Sequence, residues 1–219
     1  MNPDGPRNIL EVGSPAAATT HPPYDGVRAT DPVRLIPSGW VRQTRPGGTV
    51  SAVLGTWQEG AGQVELTVLP DGTAEGRVTG RAAVPRPSRP PFLPGWSGAD
   101  GTGRPTSTSP TLLNDPTPAF LVQLAFPDAW FWVTTGEDLE SVYCLCVPGS
   151  SAQVQDDTYG WTVHQGGRLA LWDEIERLLA AWQEAGRPDL TAVRLRITAD
   201  TQTAWIPGHP ALRWEKRLV

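Results

Sequence analysis

The sequence predicts an α+β chain in two parts, and three observations support this prediction. Residues 24–54 contain a strand-like run, a short helix, a Pro-Gly-Gly turn and a second strand, an order typical of a parallel α/β unit. Residues 63–78 alternate apolar and polar side chains around a Pro-Asp-Gly hairpin turn. Residues 168–185 place apolar side chains at helical spacing among further alternating segments, which indicates a small antiparallel sheet packed on one amphipathic helix.

Local signals place the elements along the chain. Proline at position 37 and the Pro-Gly-Gly run at 46–48 bracket the first helix, and Gly186 with Pro188 ends the last one. In the first part, strands are predicted at 9–14, 24–30, 49–54, 63–69 and 73–78, with a helix at 38–44. In the second part, strands are predicted at 120–126, 130–134, 141–147, 159–165, 191–198 and 203–206, and residues 207–219 form a tail.

A proline-rich stretch separates the two parts. Residues 85–118 hold nine prolines with several Gly, Ser and Thr, and proline on this scale blocks helix and ladder hydrogen bonds. We therefore interpret this stretch as a linker or long surface loop. Phe92 and Trp96 within it could form a partner-binding tip or pack on the adjacent domain. The predicted domains are residues 1–84, 85–118 and 119–219.

Composition and charge exclude several classes of protein. The chain has 219 residues and a net charge of −5, which argues against a nucleic-acid partner. No apolar run approaches the roughly 20 residues of a membrane span, so no membrane partner is expected. The first residues lack a signal-peptide pattern, and we predict a cytoplasmic protein.

Cysteine and histidine spacing gives little support for redox or metal chemistry. Cys144 and Cys146 lie at i, i+2 on a predicted strand, where they share a face and rarely form a disulfide. We predict reduced core residues. The three histidines, His21, His164 and His209, are far apart and form no ligand-spaced pair, so no metal site is predicted.

The order of residues in both parts resembles one known family. Tyr-Asp-x-Val from Tyr24, Ile-Pro from Ile36 and Gln-Thr-Arg-Pro-Gly-Gly-x-Val from Gln43, ending in Leu-Gly, resemble the late half of the methyltransferase domain of protein-L-isoaspartate O-methyltransferases. Later, Tyr-Gly-Trp-Thr-Val, Leu-Trp-Asp-Glu-Ile-Glu and Ala-Gly-Arg-Pro-Asp-Leu resemble the extra C-terminal domain of actinobacterial members that methylate aspartates in ribosomally made peptides. Seventeen Arg against one Lys suits such a GC-rich source.

The chain departs from the family where the cofactor would bind. Residues 9–14 resemble the first strand, and the resemblance implies Glu11 and Gly13 as vestigial S-adenosylmethionine contacts, but the glycine-rich continuation is missing. Ten residues separate Gly13 from Tyr24 (24 − 13 − 1), whereas one βαβ unit takes roughly 30. The first part is therefore interpreted as a partial Rossmann-like α/β methyltransferase remnant, with no cofactor expected for this chain alone. Without the glycine-rich loop, Glu11 is explained more simply as a strand-end carboxylate.

Functions from two classes follow from this resemblance. The leading hypothesis is a degenerate protein that does not catalyse alone and binds a peptide or partner, beside a full-length methyltransferase. The alternative is an active S-adenosylmethionine-dependent aspartate carboxyl O-methyltransferase whose site is completed by another chain. A decayed gene product without a selected role is a third possibility.

Other charged residues have two interpretations each. Asp31 follows the second strand, where the resembled fold has its active site, but Asp31-Pro32 is also a turn signal. Arg42 and Arg45 suit either an acidic peptide or the end of a helix. The acid pairs at 137–138 and 156–157 are predicted to lie in turns as solvated charge.

Overall fold

The computed structural model describes residues 8–13, 22–85, 103–136, 140–157 and 160–218. These residues form a mixed α/β fold with two large sheets and few helices. The strands are β1 (Ile9–Val12), β2 (Tyr24–Ala29), β3 (Thr44–Leu54), β4 (Gly62–Val68), β5 (Ala74–Arg81), β6 (Arg104–Thr106), β7 (Trp130–Thr135), β8 (Ser141–Val147), β9 (Ser150–Asp157), β10 (Gly160–Gly167), β11 (Arg194–Ile197), β12 (Thr201–Ile206) and β13 (His209–Arg217). The helices are α1 (Ser38–Gln43), α2 (Pro116–Ala125) and α3 (Leu171–Glu184), with 3-10 turns at Pro110–Asn114 and Leu190–Ala192.

The larger sheet confirms the predicted parallel unit and hairpin. Within the described residues its order is β1-β2-β3-β4-β5-β11-β12-β13, with β1, β2 and β3 parallel and the remaining pairs antiparallel. One detail differs, because β3 runs through the Pro-Gly-Gly sequence that was predicted to be a turn. Gly47 there has φ of 78°, and the β2–β3 register shifts between Tyr24 and Gly26, so the glycines form an irregularity within the strand.

The smaller sheet is antiparallel, with the order β6-β10-β9-β8-β7 among the described residues. Strands β7, β8 and β10 were predicted, but β9 was missed because Ala152 and Val154 are its few apolar residues amid Ser, Gln and Asp. Asp156 and Asp157 therefore end a strand, and the prediction that they lie in a turn was wrong. The acid pair at 137–138 lies outside the described residues.

Helix α2 corrects a wrong prediction. Residues 120–126 were predicted to be a strand, because Phe120, Val122 and Leu124 alternate with other residues. The structure shows a helix in which every residue from Pro118 to Ala125 is buried. A helix that is apolar on all sides satisfies a period of 2 as well as 3.6, so periodicity does not identify it. Proline at its first position is favourable because that N–H has no helical partner.

The C-terminal residues are also more ordered than predicted. Residues 207–219 were predicted to be a tail, but β13 occupies most of this range and pairs with β12. Strand β11 pairs with β5 of the predicted first domain, from Arg194 opposite Arg77 to Ile197 opposite Ala74. The division into domains at residues 84 and 119 stays a prediction, although the larger sheet contains strands from both predicted domains. A further strand beside β5 stabilises the hairpin, because it pairs with the edge of β5.

The second half of the predicted linker is part of the fold. Residues 103–118 form β6, a 3-10 turn and the start of α2, whereas Phe92 and Trp96 lie outside the described residues. Arg104 on β6 bonds the first turns of α3, with 2.5 Å to Asp173 and 2.8 Å to Glu176. Gln165 on β10 donates to Asp173 and accepts from the Trp172 N–H, which caps the helix start.

This ion-pair network makes stability depend on acid pH. The hydrogen bond from Arg104 and a second from Gln165 hold the pKa of Asp173 below its usual value. A lowered folded-state pKa stabilises the protein above the unfolded value of about 4 and loses that contribution as pH falls through the folded value. The stability difference between wild type and Arg104→Met should therefore shrink in urea titrations below about pH 4.

The expected size of this effect is modest. The Asp173 side chain is 42% exposed, so solvent screening keeps its contribution under about 1 kcal/mol. Arg177→Met is the comparison variant, because Arg177 pairs with Glu174 and its charge lowers the pKa of Asp173 less than the hydrogen bond from Arg104 does. An equal pH dependence for both variants would contradict the assignment to Asp173.

Helix α3 and the cysteines agree with the sequence analysis. The apolar stripe of α3 is buried, and Gly186 with φ of 81° follows its C-cap. Cys144 and Cys146 are free and buried in β8, and burial raises the pKa of both thiols to about 11. Among the described helices, none is long and apolar enough to span a membrane.

Candidate functional site: an aromatic groove beside strand β7

A cavity of about 580 Å³ lies between β7 of the smaller sheet and segments that follow strands of the larger sheet. Strand β7 forms one wall, the loop that follows β3 forms another, and Arg34 and Pro85 also line it. The volume falls within the roughly 300–1,000 Å³ typical of ligand pockets. We call this cavity the aromatic groove; the side chains lining it are Pro32, Arg34, Thr56, Trp57, Gln58, Glu59, Val84, Pro85, Trp130, Phe131, Trp132 and Val133.

Stacked rings hold the wall of the groove in place. Phe131 lies 5.2 Å from Trp57 and 6.4 Å from Tyr143, measured between ring centroids. Tyr143 in turn meets Trp161 edge-on at 5.9 Å. Contacts of this kind add about 0.5–1.5 kcal/mol beyond area burial, so they stabilise the groove wall without a ligand.

Gln123 positions the loop that forms the second wall. Its Oε1 accepts hydrogen bonds from the backbone N–H groups of Thr56 and Trp57, at 2.7 and 2.9 Å. Its Nε2 donates to the carbonyl oxygens of Gly60 and Ala119. The indole N–H of Trp57 also donates to the Ala129 carbonyl at 3.0 Å, so α2 and the residue before β7 hold this loop.

Strand β7 is the last strand of the smaller sheet in the described part of the chain. It pairs with β8 on one side, and no other described strand pairs with it. Four consecutive residues of β7, Trp130 to Val133, line the groove, although alternate side chains of a strand point to opposite faces. The groove therefore runs along the strand edge, where alternate N–H and C=O groups of an antiparallel strand point outward.

A small charge cluster lies at one end of the groove. The Arg34 guanidinium sits 4.9 Å from the centre of the Trp130 ring and pairs with Asp128 at 3.1 Å. Burial lowers the pKa of Lys216, while the nearby Asp128 carboxylate opposes that shift. The ion pair with Asp128 and the cation–π contact with Trp130 therefore hold Arg34 against the aromatic wall.

The groove lies at the carboxyl ends of two parallel strands. Strand β2 is followed by Asp31-Pro32, and β3 is followed by Gly55 and Thr56; Pro32 and Thr56 line the groove. In open parallel sheets, ligands bind at this edge. Asp31 itself does not line the groove, and its position after β2 agrees with the turn interpretation.

The residues predicted as vestigial cofactor contacts lie elsewhere. Glu11 is exposed on β1, opposite Arg28 of β2, and does not line the groove. Gly13 has φ of 91°, and a Cβ there would lie 2.7 Å from Asp31 Oδ2, so the turn after β1 requires glycine. A role for Glu11 or Gly13 in cofactor binding stays a prediction.

Other candidate residues serve structural contacts. Arg45 bonds Asp25 at 2.5 Å, and the other oxygen of Asp25 accepts from the Asn8 N–H, which joins β2 to β3 and to the start of β1. Arg42 donates to Ser38 on the same helix. His164 lies on β10 and His209 on β13, and His21 is outside the described residues. No group of three metal-ligating side chains comes together in the described part of the chain.

Sequence reasoning missed the groove, although its main signal is visible. The run Trp-Phe-Trp-Val at 130–133 is unusually aromatic for a strand, because every residue in it is large or apolar. A strand with one buried face is expected to alternate apolar with polar side chains. The position of β7 at a sheet edge is set by strand order, which local patterns do not contain.

Comparisons with known proteins give one distant structural likeness. No protein-family model matches the sequence, and no curated protein matches it. Among solved structures, the chain is similar to one titled protein-L-isoaspartate O-methyltransferase, with 16% identity and a TM-score of 0.40. The match covers 90% of this chain and 55% of that chain, so this chain spans about half of its length. Identity and TM-score this low do not assign the chain to that family.

Proposed function

We propose that this chain is a peptide-binding module in which an extended peptide pairs with the edge of β7 and places an apolar side chain in the aromatic groove. The observation that carries this proposal is that β7, the last strand of the smaller sheet among the described residues, lies along a preformed aromatic cavity. Strand addition of this kind uses main-chain hydrogen bonds for affinity and pockets beside the edge for side-chain specificity.

The chemistry of the groove favours an apolar or aromatic peptide side chain. Trp57, Trp130 and Trp132 line it, and the exposed Val133 extends the apolar surface along the strand, with 46% of its area accessible. Exposed apolar edge strands are aggregation sites unless they are covered, so a partner strand would also satisfy the edge. Arg34 at the end of the groove provides a cationic contact for a peptide carboxylate.

This role is the accessory function that the sequence resemblance suggests. We propose that the module presents its peptide to a complete methyltransferase and does not itself methylate. The catalytic alternative requires S-adenosylmethionine, and the position of the groove at the ends of β2 and β3 is the observation that favours it. We therefore include the cofactor in the test.

Selection of a displayed library of random linear peptides, followed by calorimetry, tests the proposal. We expect enriched peptides to share an apolar anchor and to lose at least about tenfold in affinity with Val133→Lys, because a charge at the strand edge blocks pairing. Val133→Thr is the matched control, since threonine keeps the β-branch and the strand propensity. Both variants should fold alike, because the side chain is exposed.

Four results would count against binding of a partner peptide. Failure to enrich any peptide over a scrambled library would contradict the proposal. Equal affinity of the enriched peptides for wild type and Val133→Lys would place the binding site elsewhere. Micromolar binding of S-adenosylmethionine would favour the catalytic alternative. Tight binding of a synthetic peptide of residues 86–102 would identify the chain itself as the occupant of the groove.

A further inference from the structure

The outer face of the larger sheet carries a row of arginines in cross-strand register. Arg28 lies opposite Ser51, Ser51 opposite Glu65, and Glu65 opposite Arg77. The row continues through Arg194 on β11 and Trp205 on β12 to Arg213 on β13. At its other end the row reaches Glu11 on β1, opposite Arg28. We call this set the arginine row, and it crosses the eight strands of the larger sheet; its members are Glu11, Arg28, Ser51, Glu65, Arg77, Arg194, Trp205 and Arg213.

The arginine row is cationic on an acidic protein. It holds four arginines and two glutamates, whereas the whole chain has a net charge of −5. In the next row, Arg196 pairs with Glu75 at 3.3 Å, so these two charges largely neutralise each other. Within the described residues, Arg28 and Arg77 have neither a hydrogen bond nor an ion pair.

The placement of Arg77 directly opposite Arg194 is unfavourable for the sheet by itself. Like charges at cross-strand positions are destabilising, because their Cβ atoms lie only about 5 Å apart. Polar residues such as threonine would hold this register without repulsion. Two adjacent guanidinium groups are, however, suited to binding carboxylates.

The face is also shaped to receive a ligand. A depression of about 680 Å³ lies over this part of the sheet, lined by Arg28, Arg77 and Arg194, by two glutamates and by short side chains such as Thr49 and Ser51. Trp205 lies at the far end of it, and the Arg213 guanidinium sits 5.9 Å from the Trp205 ring. The lining of the depression therefore combines short side chains with the long, positively charged side chains of arginine.

We infer that the arginine row is a second binding surface, for an acidic segment of a partner polypeptide. The mixture of charges favours carboxylates over a nucleic acid, because Glu65 within the row and Glu215 in the neighbouring row would oppose a continuous phosphate backbone. An extended peptide repeats its side chains about every 6.8 Å on one face and can place carboxylates against the arginines while avoiding Glu65. This surface is separate from the aromatic groove, so the two proposals fail independently.

The test uses calorimetry with a synthetic octapeptide of alternating glutamate and serine, at low and at physiological ionic strength. The double variant Arg77→Gln/Arg194→Gln should weaken binding about tenfold, since each exposed charge pair contributes little alone. Arg42→Gln/Arg177→Gln changes the net charge equally at positions off this face and should leave binding unchanged. Glu65→Gln should tighten binding, because it removes the acid that lies directly opposite Arg77 in the row.

The outcomes separate the possible explanations. Loss in the row variant with retention in the control supports the surface, and the gain in Glu65→Gln supports it independently. Absence of octapeptide binding would overturn the proposed surface. Equal loss of affinity in both double variants would also overturn it, because the binding would then be nonspecific charge attraction. Tighter binding of oligothymidylate than of the octapeptide would overturn the choice of an acidic polypeptide in favour of single-stranded nucleic acid.

Discussion

Replacing Gln123 by methionine is expected to destabilise the protein by about 3–6 kcal/mol, because three buried backbone groups lose their partners. The amide of Gln123 accepts from the N–H groups of Thr56 and Trp57 and donates to the Gly60 carbonyl. Each buried group left without a partner costs about 1–3 kcal/mol. Methionine has a similar shape, so a cavity contributes little to the loss.

Urea unfolding measures this effect, with Gln183→Met as the control. Gln183 is exposed on α3, and its substitution should change the free energy of unfolding by less than about 0.5 kcal/mol. Gln123→Met should also weaken peptide binding, because the loop carrying Trp57 forms a wall of the groove. A loss under 1 kcal/mol would mean that water or a shifted loop satisfies the same groups.

Replacing Leu179 by alanine is expected to cost about 2–5 kcal/mol, the range for removing a buried leucine side chain. Leu179 lies on the buried stripe of α3 and is 1% exposed. The helix packs against β9 and β10 of the smaller sheet and β13 of the larger sheet. A cavity at Leu179 would therefore loosen contacts with both sheets.

Two measurements check this second prediction. Urea unfolding gives the free-energy change, and Ala180→Gly supplies a control for helix propensity, since Ala180 is exposed on the same helix and glycine costs about 1 kcal/mol there. A Leu179→Ala loss no larger than that of the control would show that the stripe contributes little to the core. It would also suggest that α3 is free to bind a partner.

Elements with a single apolar face were predictable from local pattern. The hairpin of β4 and β5 has alternating side chains and a Pro-Asp-Gly turn, and α3 has a stripe of apolar residues ending at Gly186. In both cases one face contacts the core and the other contacts water, so the period of the sequence reports the geometry. The parallel pair β2 and β3 was predicted for a related reason, from the order strand, helix, strand.

Elements buried on all sides, or lacking apolar residues, were not predictable. Helix α2 has no polar face, so its sequence fits a strand equally well. Strand β9 has too few apolar residues to show alternation, and its neighbours β8 and β10 supply the pairing that orders it. In each case tertiary contacts decide the conformation that local preference leaves open.

The sequence alone predicted a fold that mixes helices with sheets, and it predicted most of the regular elements. It also showed that no glycine-rich cofactor loop lies between Gly13 and Tyr24. Only the tertiary structure decided that β11 joins β5, that β7 lies at a sheet edge, and that Arg77 faces Arg194. These pairings are made by hydrogen bonds between strands that are far apart along the chain, so a short stretch of sequence does not contain them. Both proposed binding surfaces arise from such pairings, which is why local sequence patterns predicted neither.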